Sequence, residues 1–292
     1  MANNKKRIRI ELFDVVNIGL LGLMSFLIVY PFYNSIIVSF ATQVEYVRTP
    51  FMFFPKEITF DAYKYILGNK GIFTGYRSTF YILAFGVPIN LSLTVFAAFA
   101  LSRKKFPGKK MFFFLIVFTM FFSGGLIPIY LTVKNLNLTN TRWSVILLQA
   151  MNTFYFILTH NFFKSIPDSM EESAKIDGAN DLTVLFKIFL PLSTPILATI
   201  FLFFAVDRWN EWFYAMLFIK RGDLLPLQVL LRNMVFVSLY DNMDSALDSI
   251  QVFFGEGIKM AAIIVTMLPI MLVYPFIQKY FVKGIMVGAI KA

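Results

Sequence analysis

The 292-residue chain reads as an all-α integral membrane protein with six transmembrane helices and both termini inside, and three observations predict this. Hydrophobic residues make up 58% of it and charged residues 15%, where soluble chains run at roughly 45–50% and 25%. Mean hydropathy is +0.69, and the 36 phenylalanines exceed what a soluble core of this size can hide. Apolar runs at 15–44, 78–102, 111–133, 143–163, 188–206 and 260–278 are nearly or wholly free of Asp, Glu, Lys and Arg. Each can cross a hydrocarbon core of about 30 Å, which takes about 20 helical residues. The runs are continuous rather than alternating, which excludes a barrel and leaves helices to satisfy the backbone in lipid.

The first run follows Lys5, Lys6, Arg7 and Arg9 but is about twice as long as a signal-peptide core. Tyr30-Pro31-Phe32 stands where small residues would permit cleavage, so the run is expected as an uncleaved span kinked at Pro31. In the second run, Asn90 beside Pro88 predicts a kink with a polar partner. In the third, Ser123-Gly124-Gly125 and Pro128 predict a break or a close helix contact. The fourth carries Gln149, Asn152, Tyr155, His160 and Asn161, and the fifth is expected to continue through a charged patch to about Ile219.

Cation placement sets the orientation. With the N-terminus inside, segments 1–14, 103–110, 164–187 and 279–292 carry 15 Lys/Arg in 60 residues, and the outer segments carry 11 in 82. The densest cluster, Arg103-Lys104-Lys105 with Lys109-Lys110, falls in a short inner loop, where the positive-inside rule weighs most. The net charge of +10 is therefore an orientation signal, not a nucleic-acid footprint. The absence of Cys removes disulfides and thiolate chemistry, and the lone His160 cannot supply a His-based metal cluster. The expected organisation is a cytoplasmic N-terminus, 1–14, a transmembrane domain, 15–282, and a cytoplasmic tail, 283–292.

Residues 165–191 form the most informative inner segment. Ser169-x-x-Glu172 has the form of a capping box, Pro167 helps set the start, and Glu171 and Glu172 suit the positive end of a helix dipole. Gly178 is placed to end the helix in the left-handed conformation, and Asp181 to cap a second one. Small residues Ser173, Ala174 and Ala179 would let another protein approach the backbone. An ordinary loop helix is the plain alternative.

The string Glu172-Ser173-Ala174-x-x-Asp177-Gly178-Ala179, with Ile188-x-Leu190-Pro191 following, resembles the EAA signature of ABC importer permeases. Ser173 replaces the first alanine of the usual Glu-Ala-Ala. Pro191-Leu-Ser-Thr-Pro195-Ile-Leu, Trp209-Asn210-Glu211-Trp212, Leu225-Pro226-Leu227-Gln228 and the ending from Tyr280-Phe-Val-Lys-Gly284 to Gly288-Ala-Ile-Lys291 are similar to the carbohydrate-uptake branch. Within it the maltose-type second permease subunit is nearest, in the variants that Gram-positive bacteria use for oligosaccharides. The resemblance covers essentially the whole chain. It implies the type I importer permease fold, a place in the bacterial cytoplasmic membrane, and a coupling helix that docks on an ATPase dimer. It also implies a second homologous permease, an extracytoplasmic solute-binding protein and an oligosaccharide substrate. No Walker A motif is present, so ATP and Mg are expected in the partner ATPase and no cofactor in this chain.

Ionisable residues at membrane depth mark a site or a pathway by default. Asp207, Arg208, Asn210 and Glu211 lie in the fifth run, with Asp207 about 22 Å along a helix counted from Leu192. Arg208 and Glu211 are spaced to neutralise each other as a structural pair. The functional alternative is a polar lining of the sugar path, to which Trp209, Trp212 and Tyr214 add stacking surfaces and Gln149, Asn152 and Tyr155 a hydrophilic stripe. Helix–helix hydrogen bonding accounts for that stripe equally well. His160 fits an interfacial position better than a proton relay. The outer loop, 220–259, with Asp241, Asp244 and Asp248, would meet the binding protein by resemblance. The tail would reach the ATPase on the same ground, though by composition it is a flexible end. A secondary transporter driven by an ion gradient is the alternative function. It needs an ion site, for which Asp207 and Glu211 are the candidates, and often inverted repeats, which are not evident. An intramembrane enzyme lacks a nucleophile–base or metal constellation.

Overall fold

The computed structural model describes residues 12–49, 52–104, 106–244 and 255–289, which are mostly helical and contain no strand. The chain divides into two compact units, Met1–Gly68 with Met234–Val265, and Asn69–Asn233 with Thr266–Ala292.

In the first unit, helix α1 (Leu12–Phe40) runs unbroken through Pro31. Two short helices follow, α2 (Gln43–Arg48) and α3 (Asp61–Gly68). Their connection is held by Glu45, whose carboxylate accepts the backbone N–H of Lys56 at 2.6 Å and of Glu57 at 3.4 Å. Ser39 and Tyr63 hydroxyls meet at 2.8 Å, and Ile37, Ala41 and Met52 form a small core.

The second unit is built on α4 (Lys70–Ser102), a 33-residue helix that starts well before the apolar run it was expected to match. Asn69 sets the start, its side-chain oxygen accepting the Gly71 N–H at 2.8 Å, so the polar turn 70–77 joins the helix instead of the preceding loop. The helices that follow are α5 (Lys109–Phe121), α6 (Leu126–Asn135), α7 (Arg142–Leu148) and α8 (Thr153–Ser165). Next come α9 (Asp168–Ile176), α10 (Asp181–Val184), a π-helical turn (Leu185–Phe189), α11 (Leu190–Leu192) and α12 (Thr194–Trp209). Helix α13 (Phe213–Phe218) precedes two helices that run across both units, α14 (Leu227–Asp244) and α15 (Gly255–Ala289).

The six apolar runs do not become six unbroken helices. Among the described residues, α1, α4 and Gly255–Val273 are long and apolar enough to cross a membrane. Two bent pairs raise the number to five if each counts as one span. Helices α5 and α6 meet at 116° where Gly125 adopts φ +87°, at the break expected from Ser123-Gly124-Gly125. The fourth run splits at Gln149–Asn152 between α7 and α8. The fifth run is bent by 85° at Ser193. Pro195 cannot donate to the Pro191 carbonyl one turn earlier, and the Thr194 hydroxyl takes that carbonyl at 2.8 Å instead. Nor does this run continue as helix through the charged patch. It stops at Asn210 and resumes at Phe213, so the patch itself is the break.

Helices α8 and α12 pack against α4. Their main core joins Val95, Ala98, Phe99 and Leu101 of α4 to Phe156 and Phe163 of α8, and to Val184, Leu185 and Phe189. Phe189 meets Phe99 and Phe163 edge-on, with ring centroids 5.2 and 5.6 Å away. Near the start of α4, Ser78 accepts from Arg142 Nε at 2.8 Å, and Thr79 accepts the Leu227 N–H at 2.9 Å. Asn140 accepts the N–H groups of Lys220 and Arg221, tying the 134–142 connection to the start of the 220–259 segment. That segment is largely helical: α14 contains Asp241 and Asp244, and Asp248 lies outside the described residues. The expected tail is helical through Ala289, and 290–292 lie outside the described residues.

Because Phe163 is fully buried at the centre of this core, Phe163→Ala is expected to cost about 3–5 kcal/mol. Leu131→Ala, at a position half exposed in the isolated chain, should stay within about 1 kcal/mol. Denaturation of the purified subunit in detergent checks both.

Candidate functional site

Two clusters occupy the second unit. The first surrounds α9. Its start lies two residues earlier than the capping box required: Pro167 holds the cap position with an extended ψ of 135°, no side chain caps the end, and Ser169 falls inside the first turn. Asp168 instead pairs with Lys104 at 2.5 Å. The C-terminal end follows the expectation. Gly178 adopts φ +85°, its N–H donates to Lys175 O at 3.1 Å, and the Ala179 N–H donates to Ala174 O at 2.9 Å. These two bonds make a Schellman motif that closes the helix. The second cap is Asn180 rather than Asp181. Asn180 has extended backbone, and its side chain accepts the Thr183 N–H at 2.8 Å.

Facing differs from the expectation at two small residues. Ala174 and Ala179 pack inward on the main core, while Glu172, Ser173, Ile176 and Asp177 are exposed. Ile176 is 87% exposed, an apolar side chain the motif did not single out. Pro191 is exposed on α11.

The basic run 103–110 also supplies ion-pair partners to α9. Arg103, just past the end of α4, forms a 2.6 Å ion pair with Glu171, both side chains being at most 15% exposed. Its guanidinium lies 4.1 Å from the Phe189 ring and 5.1 Å from that of Phe99, so two aromatic faces and one carboxylate hold it. Glu171 also accepts from Lys175 at 2.7 Å, and Lys175 reaches Asp181 at 3.1 Å. Burial pushes the Glu171 carboxyl up, but the bonds from Lys175 and Arg103 outweigh it and hold the group below its ordinary value. Arg103, Lys104, Phe106, Glu171 and Glu172 line a cavity of about 460 Å³.

The second cluster gathers where the fourth and fifth runs are broken. Arg208, one residue from the end of α12, is 1% exposed. Its Nε donates to Asn90 Oδ1 at 3.1 Å, and Nη1 donates to Val145 O at 3.0 Å and Gln149 Oε1 at 3.1 Å. Nη2 donates to Ile146 O at 3.4 Å and to the Gln149 carbonyl. A guanidinium has five N–H donors, so all are used inside the protein. Three of the acceptors are carbonyls left over at the C-terminal end of α7, where a cation also suits the dipole.

The direct Arg208–Glu211 pair expected from their spacing does not form. The helix ends at Asn210, which takes Glu211 off the helical path. Gln149 stands between the two, its Nε2 donating to Glu211 Oε2 at 2.7 Å. Glu211 Oε1 accepts the Tyr214 N–H at 2.8 Å. Asn90 finds the polar partner anticipated for it, donating to the Gln149 carbonyl at 2.6 Å. Asn152 caps α8 by accepting from the Phe154 and Tyr155 N–H groups.

A cavity of about 450 Å³ opens beside this network. Gln149, Asn152, Asp207, Arg208, Asn210, Glu211 and Trp212 line it, and the Tyr155 hydroxyl reaches Asp207 at 2.9 Å. Trp209 does not belong to it. It is buried against Tyr76 and Phe80 and borders a separate apolar cavity of about 420 Å³ with Pro269 and Val273. Trp212 is 40% exposed, with Arg232 5.1 Å from its ring. His160 is buried between Phe113 and Phe156, with Nε2 3.3 Å from Leu101 O, a packing role. No group of three His, Cys, Asp or Glu placed to hold a metal occurs among the described residues.

Residues 67–287 match the family described as binding-protein-dependent transport system inner membrane component. The chain belongs to this family. It is therefore a multi-pass membrane permease rather than an enzyme, and the ion-driven transporter alternative falls away. It is 42% identical over 288 residues to the polygalacturonan/rhamnogalacturonan transport system permease protein YtcP of Bacillus subtilis, covering 96% of this chain and 99% of that one. To the protein LplC of the same organism it is 40% identical over 286 residues, covering 96% and 95%. It superposes with a TM-score of 0.83 and 35% identity on a chain from the crystal structure of a bacterial ABC transporter involved in the import of the acidic polysaccharide alginate, over 96% of this chain and 99% of that one. These likenesses establish the type I importer permease fold.

Two outcomes follow from the clusters. Arg208→Met strands the acceptors of Asn90, Gln149, Val145 and Ile146, at about 1–3 kcal/mol for each buried group left unmet. The thermal midpoint should fall steeply, and Arg208→Lys, with three donors, should recover only part of it. A glutamate held below its ordinary value of 4.5 stabilises the fold above that value and stops doing so as pH falls through the lower, folded one. The stability gap between wild type and Glu171→Gln should thus stay constant from about pH 8 to 5 and close below about pH 4, as read by thermal scans across pH.

Proposed function

We propose that this permease imports an oligosaccharide as one of two homologous permease subunits, with segment 165–191 as the coupling element that an ATPase dimer engages. In this reading ATP and Mg are bound by that dimer, and a solute-binding protein delivers the sugar at the outer face, around 220–259. Six spans place both termini and residues 103–110 in the cytoplasm. Ser169, Glu171, Glu172, Ser173, Ala174, Asp177, Gly178, Ala179 and Pro191 shape the coupling element. The sugar passes beside Gln149, Asn152, Tyr155, Asp207, Asn210, Glu211 and Trp212.

The observation that carries the reading is the construction of α9. A Schellman turn closes it, ion pairs bind it to the end of α4, and an exposed edge of Glu172, Ser173, Ile176 and Asp177 is left for a partner. A helix held in this way moves with α4 as one body, which is what passing ATPase closure to the membrane requires. The names of the relatives support the sugar: polygalacturonan and rhamnogalacturonan for one, alginate for another.

Gly178 tests the reading cleanly, because a Cβ there meets no atom within 4 Å and the cost is backbone strain alone. A β-branched residue pays at least 1–2 kcal/mol in the left-handed region, whereas Asn tolerates it. Gly178→Val should cut ATP-driven uptake in vesicles and weaken ATPase co-purification, and Gly178→Asn should retain both. Normal uptake by Gly178→Val would count against the coupling role. The absence of Cys allows single cysteines to report topology: residues 103–110 should label from the cytoplasmic side and residues 134–142 from the outer side.

A further inference from the structure

The outer segments that belong to the second unit, 69–77, 134–142 and 220–233, hold seven Lys/Arg and one acid, Asp223. The positive-inside rule gives outer loops no reason to gather cations, so this excess needs another cause. The fold draws several of them together. Asn140 accepts the N–H groups of Lys220 and Arg221, and Arg221 takes both oxygens of Asp223, at 2.8 and 3.1 Å. The one acid is thus neutralised inside its own segment. Arg142 lies over the Tyr81 ring at 5.0 Å, with Nε on Ser78 and Nη2 3.3 Å from the Asp223 carbonyl. Burial lowers the pKa of the Arg142 guanidinium, and the like charges of Arg77 and Arg221 lower it further. Arg232, on α14, brings the same sign of charge to the 450 Å³ cavity, its guanidinium 5.1 Å from the ring of Trp212, a lining residue. The cavity's own carboxylates are engaged by the protein, Glu211 by Gln149 and the Tyr214 N–H, Asp207 by the Tyr155 hydroxyl.

We infer that Arg232 is a specificity-determining residue that takes the carboxylate of a uronate unit at the cavity, with Trp212 as the residue that positions it. The inference rests on the proposed topology and sugar path, and it narrows the substrate from an oligosaccharide to an acidic one. A guanidinium carries its donors in a planar fork that matches a carboxylate. An aromatic face beneath it fixes its place without neutralising its charge, as a carboxylate partner would. The remaining outer cations act at longer range. Arranged over one side of the unit with a single, already paired acid among them, they raise the local concentration of a polyanion and guide it to Arg232. A chain of uronate units carries one carboxylate per sugar ring and gains from each such cation, whereas a neutral sugar of the same shape gains nothing.

The test uses the complete importer in liposomes, with binding protein saturated by a galacturonate trimer or by the fully methyl-esterified trimer, which lacks the charges. The ratio of acid to ester uptake, compared between wild type and variant, cancels the preference of the binding protein. Arg232→Gln, which keeps an amide donor and loses the charge, should lower the ratio about tenfold by slowing the acid. That is the low end for a hydrogen bond to a charged group. Arg232→Lys should keep more of the ratio than Arg232→Gln, and Trp212→Leu should lower it in the same direction. An unchanged ratio in Arg232→Gln would overturn this inference alone, whether uptake of the two sugars is normal or equally reduced. An equal reduction would make Arg232 a structural residue or a contact for the binding protein. A wild-type importer that hydrolyses ATP in response to the loaded binding protein, yet carries the ester alone or neither sugar, would also overturn this inference alone. A wild-type complex that imports neither sugar and shows no binding-protein-stimulated ATP hydrolysis would overturn the proposed function together with it.

Discussion

The arrangement of the second unit depends on one buried cation. The fourth and fifth apolar runs are both interrupted here, and an interruption frees backbone groups that lipid cannot satisfy. Arg208 answers much of this at once, taking two carbonyls of α7 and that of Gln149 while also holding Asn90 on α4. Its position leaves no room for error. A Cβ added at Gly86 would come within 3.3 Å of Nε, so α4 can pass this close to the guanidinium because residue 86 has no side chain. A charge that would be prohibitive in lipid thus becomes the group that lets the helices break there.

A second arginine does related work at the far end of α4. Asn90 and Arg103 are thirteen residues apart, about 20 Å along a helix, and the stretch between them is unbroken as far as Ser102. One end of that stretch holds the network beside the cavity, and the other holds α9 through Glu171 and the faces of Phe99 and Phe189. In the proposed coupling role, a displaced α9 would load α4 directly, and α4 would carry the load to the break between α7 and α8. The main core, which joins α4, α8 and the Val184–Phe189 stretch, keeps these parts from sliding separately.

Much of this was legible in the sequence, and the failures have physical causes. Hydropathy locates the apolar runs because burial in lipid selects composition, but it is blind to helix breaks whose flanks are equally apolar. Gln149 and Asn152 look like one polar stripe on a continuous helix, although they mark its interruption. Gly178 was readable because a left-handed helix end selects glycine. The start of the same helix was misplaced because Pro167 supplies extended geometry without a side-chain cap. Trp209 and Trp212 look equivalent in the sequence, but the helix ends between them, so one turns into apolar packing and the other onto the cavity. The basic run 103–110 satisfies the positive-inside rule so well that Arg103 and Lys104 carry no separate signal for their ion pairs.

The two arginines also show why the same residue type is fixed so differently at the two ends. At the α9 end, Arg103 is held by one carboxylate and two rings, contacts that a modest displacement can weaken one at a time. At the cavity, Arg208 is held by five hydrogen bonds to α4, α7 and the residues that follow α7, and a displacement must give up several buried bonds together. The first arrangement suits a joint that transmits motion, the second a pivot that resists it. A pivot with every donor satisfied has none left over, whereas its neighbours Asp207 and Trp212 are left exposed by the same helix break.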